Sequence, residues 1–129
     1  MVVVVDANWP GDQISRRSTT GGVLLLSKAV VFSRSRTQKS VALSSAESEY
    51  YALVSGICEG RMAQSIIEDL SGESLGLQIY SDSSVGRASA EKPGLLRVKH
   101  LQMRYLFVKE MVEAKLISIH AVRGDSNVA

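Results

Sequence analysis

Hydrophobic residues form short continuous runs near the amino terminus of the chain. Residues 2–5 are all valine, as is typical of a central strand that is buried on both faces, and the run ends on Asp6. Residues 23–26 and 29–32 are two further apolar runs. They are close enough to form a hairpin, although the Ser-Lys pair at 27–28 is a poor match for the common turn dipeptides. This part of the chain therefore predicts three consecutive strands.

Two later stretches repeat apolar residues every three or four positions, which is the period of an amphipathic helix. The first follows Ser44, and Glu47 stands three residues later in the spacing of a capping box. We expect this helix to pack one face on the sheet and to bend or break near Gly56 or Gly60, because glycine weakens a helix interior. Its apolar positions are Tyr50, Leu53, Val54, Ile57, Cys58, Met62, Ile66, Ile67 and Leu70. Those of the second helix are Val98, Leu101, Tyr105, Val108 and Val112.

Two more strands lie around the second helix. Residues 77–81 form a strand candidate that ends on Asp82, and residues 116–122 alternate as a half-buried strand with His120 on its exposed side. Residues 83–90 predict a short helix, and a Pro-Gly pair at 93–94 marks a loop. The order is β-β-β-α-β-α-α-β without a shift in composition, which predicts one α/β domain over residues 1–129.

The composition is that of an ordinary folded protein. Hydrophobic residues make up 45% of the 129 positions and charged residues 22%, so neither disorder nor a fibrous repeat is indicated. The single cysteine, Cys58, excludes an internal disulfide, and its place in an apolar stripe predicts a buried thiol. No stretch approaches the roughly 18 apolar residues of a membrane span, and Met1 is not followed by a signal peptide.

The net charge of +2 is small, but the charges are unevenly placed. Residues 13–46 contain six basic residues and no acidic one, and residues 97–109 contain four basic residues and no acidic one. Such stretches suit a phosphate backbone. Charge pattern alone leaves open that they are solvated charges of loops and edge strands.

Two aspartates follow predicted strands. Ligands in open α/β sheets bind beyond the carboxyl ends of adjacent strands, where Asp6 and Asp82 are expected. Carboxylates together with substrate phosphates bind Mg²⁺, and a third carboxylate from the long helix would complete much of the shell of a two-ion site. Spacing alone leaves open that both aspartates only cap turns after their strands.

Four motifs resemble the ribonuclease H domains of copia-type retrotransposon polyproteins. They occur in the order and at the spacing of that family, and Asn8 departs from its more common aspartate at that position. The first motif combines D-A-N-W-P-G-D at 6–12 with R-R-S-T-T-G at 16–21. The others are Q-K-S-V-A-L-S-S-A-E-S-E-Y at 38–50, I-Y-S-D-S at 79–83 and K-H-L-Q-M-R-Y at 99–105.

The resemblance implies a ribonuclease H-like α/β fold with a five-stranded mixed sheet, in which strands 1 to 3 are antiparallel and strands 4 and 5 run parallel to strand 1. It implies hydrolysis of RNA paired to DNA by two Mg²⁺ ions, for which Mn²⁺ can substitute. The implied catalytic residues and metal ligands are Asp6, Glu49 and Asp82. The helical wheel does not decide between Glu47 and Glu49, and the family pattern assigns Glu49 to the metals and leaves Glu47 to cap the helix.

The implied partners are an RNA–DNA hybrid and the reverse transcriptase domain of the same polyprotein, without a membrane. The implied location is the cytoplasm, or a virus-like particle if the element is active. The basic residues expected to contact nucleic acid are Arg16, Arg17, Arg34, Arg36 and Lys39, and His100 and Arg104 join them, although a structural hydrogen bond explains the last two equally well. We expect Trp9 to be a packing residue and His120 a surface residue.

Residues 122–129 align with the family's segment that precedes a fourth aspartate and a terminal helix. We therefore expect the chain to be a fragment that is truncated before that helix and less active for this reason, with Asp125 as the only nearby substitute. Two other functions remain open: an inactive module that binds a duplex or tethers a neighbouring domain, and an integrase-like or resolvase-like nuclease that acts on DNA.

Overall fold

The computed structural model describes residues 1–9, 13–81 and 99–129, and only the backbone of residues 99–101. The predicted helix at 83–90 and the loop at 93–94 lie outside these ranges. The described elements are β1 (Val2–Asn8), β2 (Thr19–Leu26), β3 (Ala29–Thr37), α1 (Ser45–Ser71), β4 (Leu77–Ser81), α2 (Lys99–Glu113) and β5 (Ile117–Ala121). A single 3₁₀ turn, Gly124–Ser126, follows β5.

The five strands form one mixed sheet in the order β3-β2-β1-β4-β5. β1 pairs with β2, and β2 with β3, in antiparallel ladders, whereas β4 is parallel to β1 and β5 is parallel to β4. The predicted sheet is therefore confirmed. β1 is its central strand, and Val3, Val4 and Val5 are buried as their unbroken apolar run predicts.

The hairpin between β2 and β3 is also confirmed, although its turn contains no glycine. Ser27 and Lys28 both adopt positive φ angles, 49° and 70°. Two left-handed residues in succession give the turn that matches the right-handed twist of the flanking strands. Both strands are longer than predicted because each extends beyond its apolar run: β2 begins four residues before its run, and β3 continues after its run. β3 continues through alternating serines and arginines to Thr37, which suits a strand at the edge of the sheet.

The core lies between the sheet and α1. Gly56 and Gly60 of α1 face the sheet, and a Cβ atom on Gly56 would overlap the side chain of Val5. A Cβ atom on Gly60 would lie 3.0 Å from side-chain atoms of Val3 and Leu77. The two glycines thus allow the helix to approach the strands closely, and α1 is continuous over its 27 residues. The predicted break is wrong because packing against the sheet outweighs the low helix propensity of glycine.

The predicted apolar face of α1 is correct only in the amino-terminal half of the helix. Tyr50, Leu53, Val54 and Ile57 are buried, but Cys58 is exposed, so the prediction of a buried thiol is wrong. Further along, Leu70 is 84% exposed while Gln64 is buried. The buried stripe continues through Gly60 and Gln64, which a search for apolar residues passes over.

The second helix packs only in part as its pattern predicts, since Val112 is 41% exposed, and Val98 and the side chain of Leu101 lie outside the described residues. Tyr105 and Val108 of α2 are buried together with Ile117 of β5. None of the helices in the described ranges is long and apolar enough to cross a membrane.

Candidate active site and nucleic-acid interface

Asp6 lies inside β1 rather than at its end. The strand continues to Asn8 because Asp6, Ala7 and Asn8 remain paired with Gly21, Thr20 and Thr19 of β2. The prediction of a strand-tip carboxylate is therefore corrected. Val3 and Val5 face α1, so the alternation of side chains along a strand turns the half-buried Asp6 to the opposite face of the sheet.

The second predicted ligand follows β4. The last described pair between β1 and β4 is Val5 with Ser81, and Ser81 is buried. Asp82 is the next residue in the sequence and lies outside the described residues. Its predicted role as a metal ligand stays a prediction.

The hydrogen bonds at the amino terminus of α1 distinguish Glu47 from Glu49, which the helical wheel did not. Ser44 is the N-cap, and its Oγ accepts a hydrogen bond of 3.1 Å from the backbone N–H of Glu47. The carboxylate of Glu47 accepts from the backbone N–H of Leu43 at 2.9 Å and from the hydroxyl of Tyr51 at 2.7 Å. Glu49 is half-buried, and its Oε1 accepts from the hydroxyl of Ser45 at 3.2 Å. The capping interpretation of Glu47 is confirmed by these bonds.

This end of α1 lies over the carboxyl end of β1. Val5 packs at Gly56 and Val3 at Gly60, so the helix and the strand run in opposite directions. The indole N–H of Trp9, directly after β1, donates to the carbonyl of Ala42 at 3.0 Å. Trp9 is 43% exposed, so it links two segments and is not the packing residue that we predicted. Glu49 and Asp6 therefore occupy the same end of the sheet.

A buried glutamine joins the sheet to the first turn of α1. The side-chain amide of Gln38 donates to Thr20 Oγ1 at 3.0 Å and to the carbonyl of Ser48 at 2.8 Å, and its backbone N–H donates to the carbonyl of Ser18 at 2.7 Å. These bonds position the residue that immediately precedes Glu49. Sequence reasoning missed this role, because a buried polar contact leaves no trace in hydrophobic periodicity.

The carboxyl-terminal residues lie beside Asp6. Asn127 Nδ2 is 3.4 Å from the carbonyl oxygen of Val5, and the carbonyl carbon of Ala129 is 3.1 Å from the position that a Cβ of Gly21 would take. Gly21 is the β2 partner of Asp6, and directly paired residues share a face of the sheet. Ala129 is therefore a close neighbour of Asp6. Asp125 is exposed, in the 3₁₀ turn.

The donor chemistry of these residues suits a hard divalent cation. Asp6 and Glu49 provide carboxylate oxygens, which are the ligands that Mg²⁺ prefers. Within residues 1–9, 13–81 and 99–129, no three His, Cys, Asp or Glu side chains are grouped as a metal site. The three-carboxylate site, which requires Asp82, thus stays a prediction that the described donors fit.

His120 is not the plain surface residue that we predicted. Its ring is half-buried and stacks on Tyr80 with 5.0 Å between the ring centroids. Its Nε2 atom is 2.8 Å from the hydroxyl of Ser118. These contacts give the ring a packing role between β4 and β5.

Four of the residues predicted to contact nucleic acid line one pocket of about 340 Å³ between β3, α1 and α2. We call it the basic pocket. Its described lining contains no acidic residue. Its lining includes Arg34, Arg36, Lys39, Tyr51, Cys58 and Arg104.

The arginines of the basic pocket differ in their surroundings. Arg34 forms an ion pair with Glu59 and a hydrogen bond with Ser55, so its charge is compensated. Burial raises the pKa of Glu59 above its usual range, and Arg34 offsets part of this effect. The guanidinium of Arg104 lies over the ring of Tyr51, 4.7 Å from its centroid. Burial, followed by the hydrogen bond to Glu47, raises the pKa of Tyr51 to about 12, so the hydroxyl stays protonated well above neutral pH.

The other predicted contacts lie elsewhere. Arg16 and Arg17 are exposed and outside the basic pocket, and Arg16 has a positive φ of 58°. The side chain of His100 lies outside the described part of the chain. The seven predicted residues thus do not form one continuous cluster.

No family model matches the chain. It is 30% identical over 125 residues to the retrovirus-related Pol polyprotein from transposon TNT 1-94 of Nicotiana tabacum, an alignment that covers 96% of the chain and 9% of the polyprotein. It is 27% identical over 131 residues to the corresponding polyprotein from transposon RE2 of Arabidopsis thaliana, again over 96% and 9%. A stretch of 48 residues is 54% identical to secreted RxLR effector protein 161 of Plasmopara viticola, covering 37% of the chain and 34% of that protein. The chain spans less than a tenth of either polyprotein.

Solved structures share the fold. LC11 ribonuclease H1, isolated from compost, matches with a TM-score of 0.68 at 14% identity over 98% of this chain and 86% of that one. The same enzyme in complex with an RNA/DNA hybrid matches with a TM-score of 0.61 at 13% identity over 98% and 88%. Prototype foamy virus protease-reverse transcriptase matches with a TM-score of 0.60 at 15% identity over 99% of this chain and 18% of that one. At these identities the likeness establishes the fold alone.

The polyprotein relatives align over nearly the whole of the chain, and the solved structures reproduce its mixed sheet and flanking helices. The chain is therefore similar in sequence to a segment of copia-type retrotransposon polyproteins and has the fold of ribonuclease H.

Proposed function

We propose that this domain is a metal-dependent endonuclease that hydrolyses the RNA strand of RNA–DNA hybrids during reverse transcription. The observation that carries the proposal is the register of the central parallel strands. The last described pair between β1 and β4 is Val5 with Ser81. The residue that follows Val5 in the sequence is Asp6, and the residue that follows Ser81 is Asp82. Ligands of α/β sheets bind in the crevice outside such strand ends.

The third carboxylate reaches the crevice from the helix side. Asp6 points to the face opposite α1, whereas Glu49 stands on α1 over the same end of β1. Past its last described pair with β4, β1 is paired only with β2 among the described residues. This arrangement leaves room for carboxylates from both faces of the sheet to converge. Asp6, Glu49 and Asp82 would hold two Mg²⁺ or Mn²⁺ ions, which when bound supply a nucleophilic water and neutralise charge on the leaving oxygen.

Contacts of the described residues support this proposal because they restrain the turn of α1 that carries Glu49. Gln38 holds Ser48 against β2, and the Ser44 cap with Glu47 fixes the start of α1, so Glu49 is presented from a restrained turn. A catalytic group must be held within about 0.5 Å of its productive place, and supporting hydrogen bonds of this kind provide that restraint. Exposed cations such as Arg16 and Arg17 contact the phosphate backbone of the nucleic acid, and these contacts do not depend on the base sequence.

The solved relatives support the choice of substrate and partner. LC11 ribonuclease H1 was crystallised with an RNA/DNA hybrid. The foamy virus chain is a protease-reverse transcriptase, and the region that matches this domain is 18% of its length. We infer that the hybrid is the substrate here and that a reverse transcriptase domain of the same polyprotein is the partner. The 2′-hydroxyls of the RNA strand are the chemical feature that separates a hybrid from duplex DNA.

The test is cleavage of a hybrid with differently labelled RNA and DNA strands, in Mg²⁺ and in Mn²⁺. We expect only the RNA strand to be cut. Asp6→Asn should lower the rate at least about 100-fold, because even outer-shell partners of metal ligands cost 10- to 100-fold. Calorimetric titration with Mn²⁺ should show weaker binding by the same variant. Glu73→Gln removes an exposed carboxylate after α1 and is the matched control.

Each alternative has its own result in this assay. Tight binding of the hybrid without cleavage in either metal would identify an inactive binding module. Cleavage of the DNA strand would identify an integrase-like or resolvase-like nuclease. Equal Mn²⁺ affinities of the parent protein and Asp6→Asn would remove Asp6 from the site.

A further inference from the structure

We propose that exposed apolar residues of β3 and of the second half of α1 form a surface through which two copies of this chain pair about a two-fold axis. We call it the apolar surface, and it consists of Val31, Phe32, Met62, Ile66 and Leu70. The inference goes beyond the proposed nuclease activity and does not depend on it.

The second half of α1 carries an apolar stripe that the chain does not bury. Met62, Ile66 and Leu70 follow one another at four-residue spacing, which places them on one face of the helix. Their spacing predicted that they pack on the sheet, but all three side chains are at least half exposed. The buried side of this half of α1 is formed by Gly60 and Gln64 instead. Exposed apolar side chains that lie together mark a surface that contacts another molecule.

A groove beside this stripe extends the apolar surface to the edge of the sheet. Phe32 pairs with Leu24, which pairs with Val3, so Phe32 shares the face of the sheet that packs against α1. Val31 is the extra residue of the β-bulge at this point of β3. Together with Met62, these residues line a cavity of about 330 Å³ between β3 and α1. The ion pair of Arg34 with Glu59 and the side chain of Arg36 contribute to the same lining.

The shape of the apolar surface suits a second copy of the same chain. The stripe on α1 is a ridge, and the cavity between α1 and β3 is a groove directly beside it. A two-fold interface uses the same patch on both copies, so the ridge of one copy can pack into the groove of the other. One such contact closes the pair and leaves neither apolar surface open.

The size of the apolar surface also suits a pair of copies. Since half or more of each of its five side chains is exposed, it presents an apolar area on the order of 500 Å², which is within the range of the largest patch on a typical monomer. Two copies would bury on the order of 1,000 Å², close to the minimum for a specific interface. We therefore expect a reversible dimer with a micromolar Kd rather than a permanent one.

Sedimentation of the intact chain over micromolar to millimolar concentrations tests the dimer, and a pair of methionine variants tests the surface. Met62→Glu should raise the Kd of the dimer at least about tenfold, because the new carboxylate enters the interface from both copies. Met103→Glu should leave the Kd unchanged. Met103 lies on α2, outside the apolar surface, and its exposure of 67% matches the 63% of Met62. Thermal unfolding of both variants ensures that folded proteins are compared.

A disulfide trap tests the position of the two-fold axis. Ile66 is the middle residue of the stripe, so an axis through the stripe brings Ile66 of the two copies together. In a Cys58→Ser background, Ile66→Cys should form a covalent dimer under mild oxidation, because a disulfide needs Cα atoms within roughly 4.4–6.8 Å. Leu106→Cys in the same background is the control, since Leu106 is about as exposed and lies on α2. Its covalent dimer should form at least tenfold more slowly.

Each outcome supports or overturns the inference without reference to hybrid cleavage. A chain that stays monomeric at millimolar concentration would overturn it and would leave the apolar surface to a different partner. Equal dimer Kd values for the two methionine variants, or equal rates of covalent dimer formation for the two cysteine variants, would place any dimer on another surface. A dimer that Met62→Glu weakens and that Ile66→Cys traps supports the pairing, whether or not the protein cleaves a hybrid.

Discussion

Replacing Glu47 and Glu49 by glutamine, one at a time, should separate the stability of α1 from metal binding. Glu47→Gln should lower the free energy of unfolding and leave Mn²⁺ affinity unchanged, because both carboxylate oxygens already accept hydrogen bonds from Leu43 and Tyr51. Glu49→Gln should leave stability nearly unchanged and weaken Mn²⁺ binding. The two residues flank the same helical stripe, so each variant is the control for the other.

The magnitude for Glu47 follows from its contacts. Glutamine keeps one acceptor oxygen and loses the other, and it also loses the negative charge at the helix amino terminus. A hydrogen bond to a charged group contributes about 1.5–3 kcal/mol, and the partial exposure of Glu47 favours the lower end of that range. A charge at a helix terminus contributes about 0.3–1 kcal/mol. Together these losses amount to about 2 kcal/mol, which corresponds to a fall in Tm of roughly 7 °C for a domain of this size.

The assay combines thermal unfolding without metal and calorimetric titration with Mn²⁺ for the parent protein and both variants. The expected result is a crossed pattern, in which one variant changes only Tm and the other changes chiefly Kd. If Glu47→Gln weakened Mn²⁺ binding as much as Glu49→Gln at equal stability, the choice of Glu49 as the ligand would be refuted.

Three further predictions follow from single contacts. Gly56→Ala should destabilise the protein by about 1–3 kcal/mol in urea unfolding, because overlap with Val5 outweighs the gain in helix propensity, and a stabilised variant would contradict the close packing. Since the pKa of Glu59 is raised in the folded state, folding favours its protonated form, so stability should fall as pH rises from about 4.5 through the raised pKa. Glu59→Gln should abolish that decline, and an unchanged pH profile would assign it to other groups. Gln38→Leu should lower the free energy of unfolding by about 1–3 kcal/mol, because it leaves buried acceptors without a donor, and the urea midpoint should fall accordingly. An unchanged midpoint would argue against the proposed restraint on α1.

The order of the described strands and helices could be predicted because hydrophobic burial dominates it, whereas the pairing of the strands was implied by the resemblance to the family. The valine run of β1 and the cap at Ser44 each report a local preference that the tertiary structure keeps. The predictions from hydrophobic periodicity are wrong where the paired or buried residues are not apolar. β3 extends through serines and arginines, and the buried side of α1 runs through Gly60 and Gln64.

The candidate site could be predicted only in part. The resemblance to the family supplied Asp6, Glu49 and Asp82, but no periodicity reveals that Gln38 links β2 to α1 or that Trp9 bonds to Ala42. These contacts join segments that are remote in sequence, and each depends on the fold being in place. Arg34 shows the reverse case, since its charge suggested a phosphate contact and the structure pairs it with Glu59.

The basic pocket, lined by residues predicted to contact nucleic acid, and Asp6 lie on different sides of the sheet, and this constrains how a duplex that contacts both can bind. The basic pocket is on the face that packs against α1, whereas Asp6 points to the opposite face. A rigid hybrid cannot pass through the sheet, so it must reach both from the carboxyl end of β1, where Trp9 bonds to the segment before α1. That end also carries Glu49 and the strand register that leads into Asp82. The carboxylates therefore need to be reached only at the edge where the two faces meet.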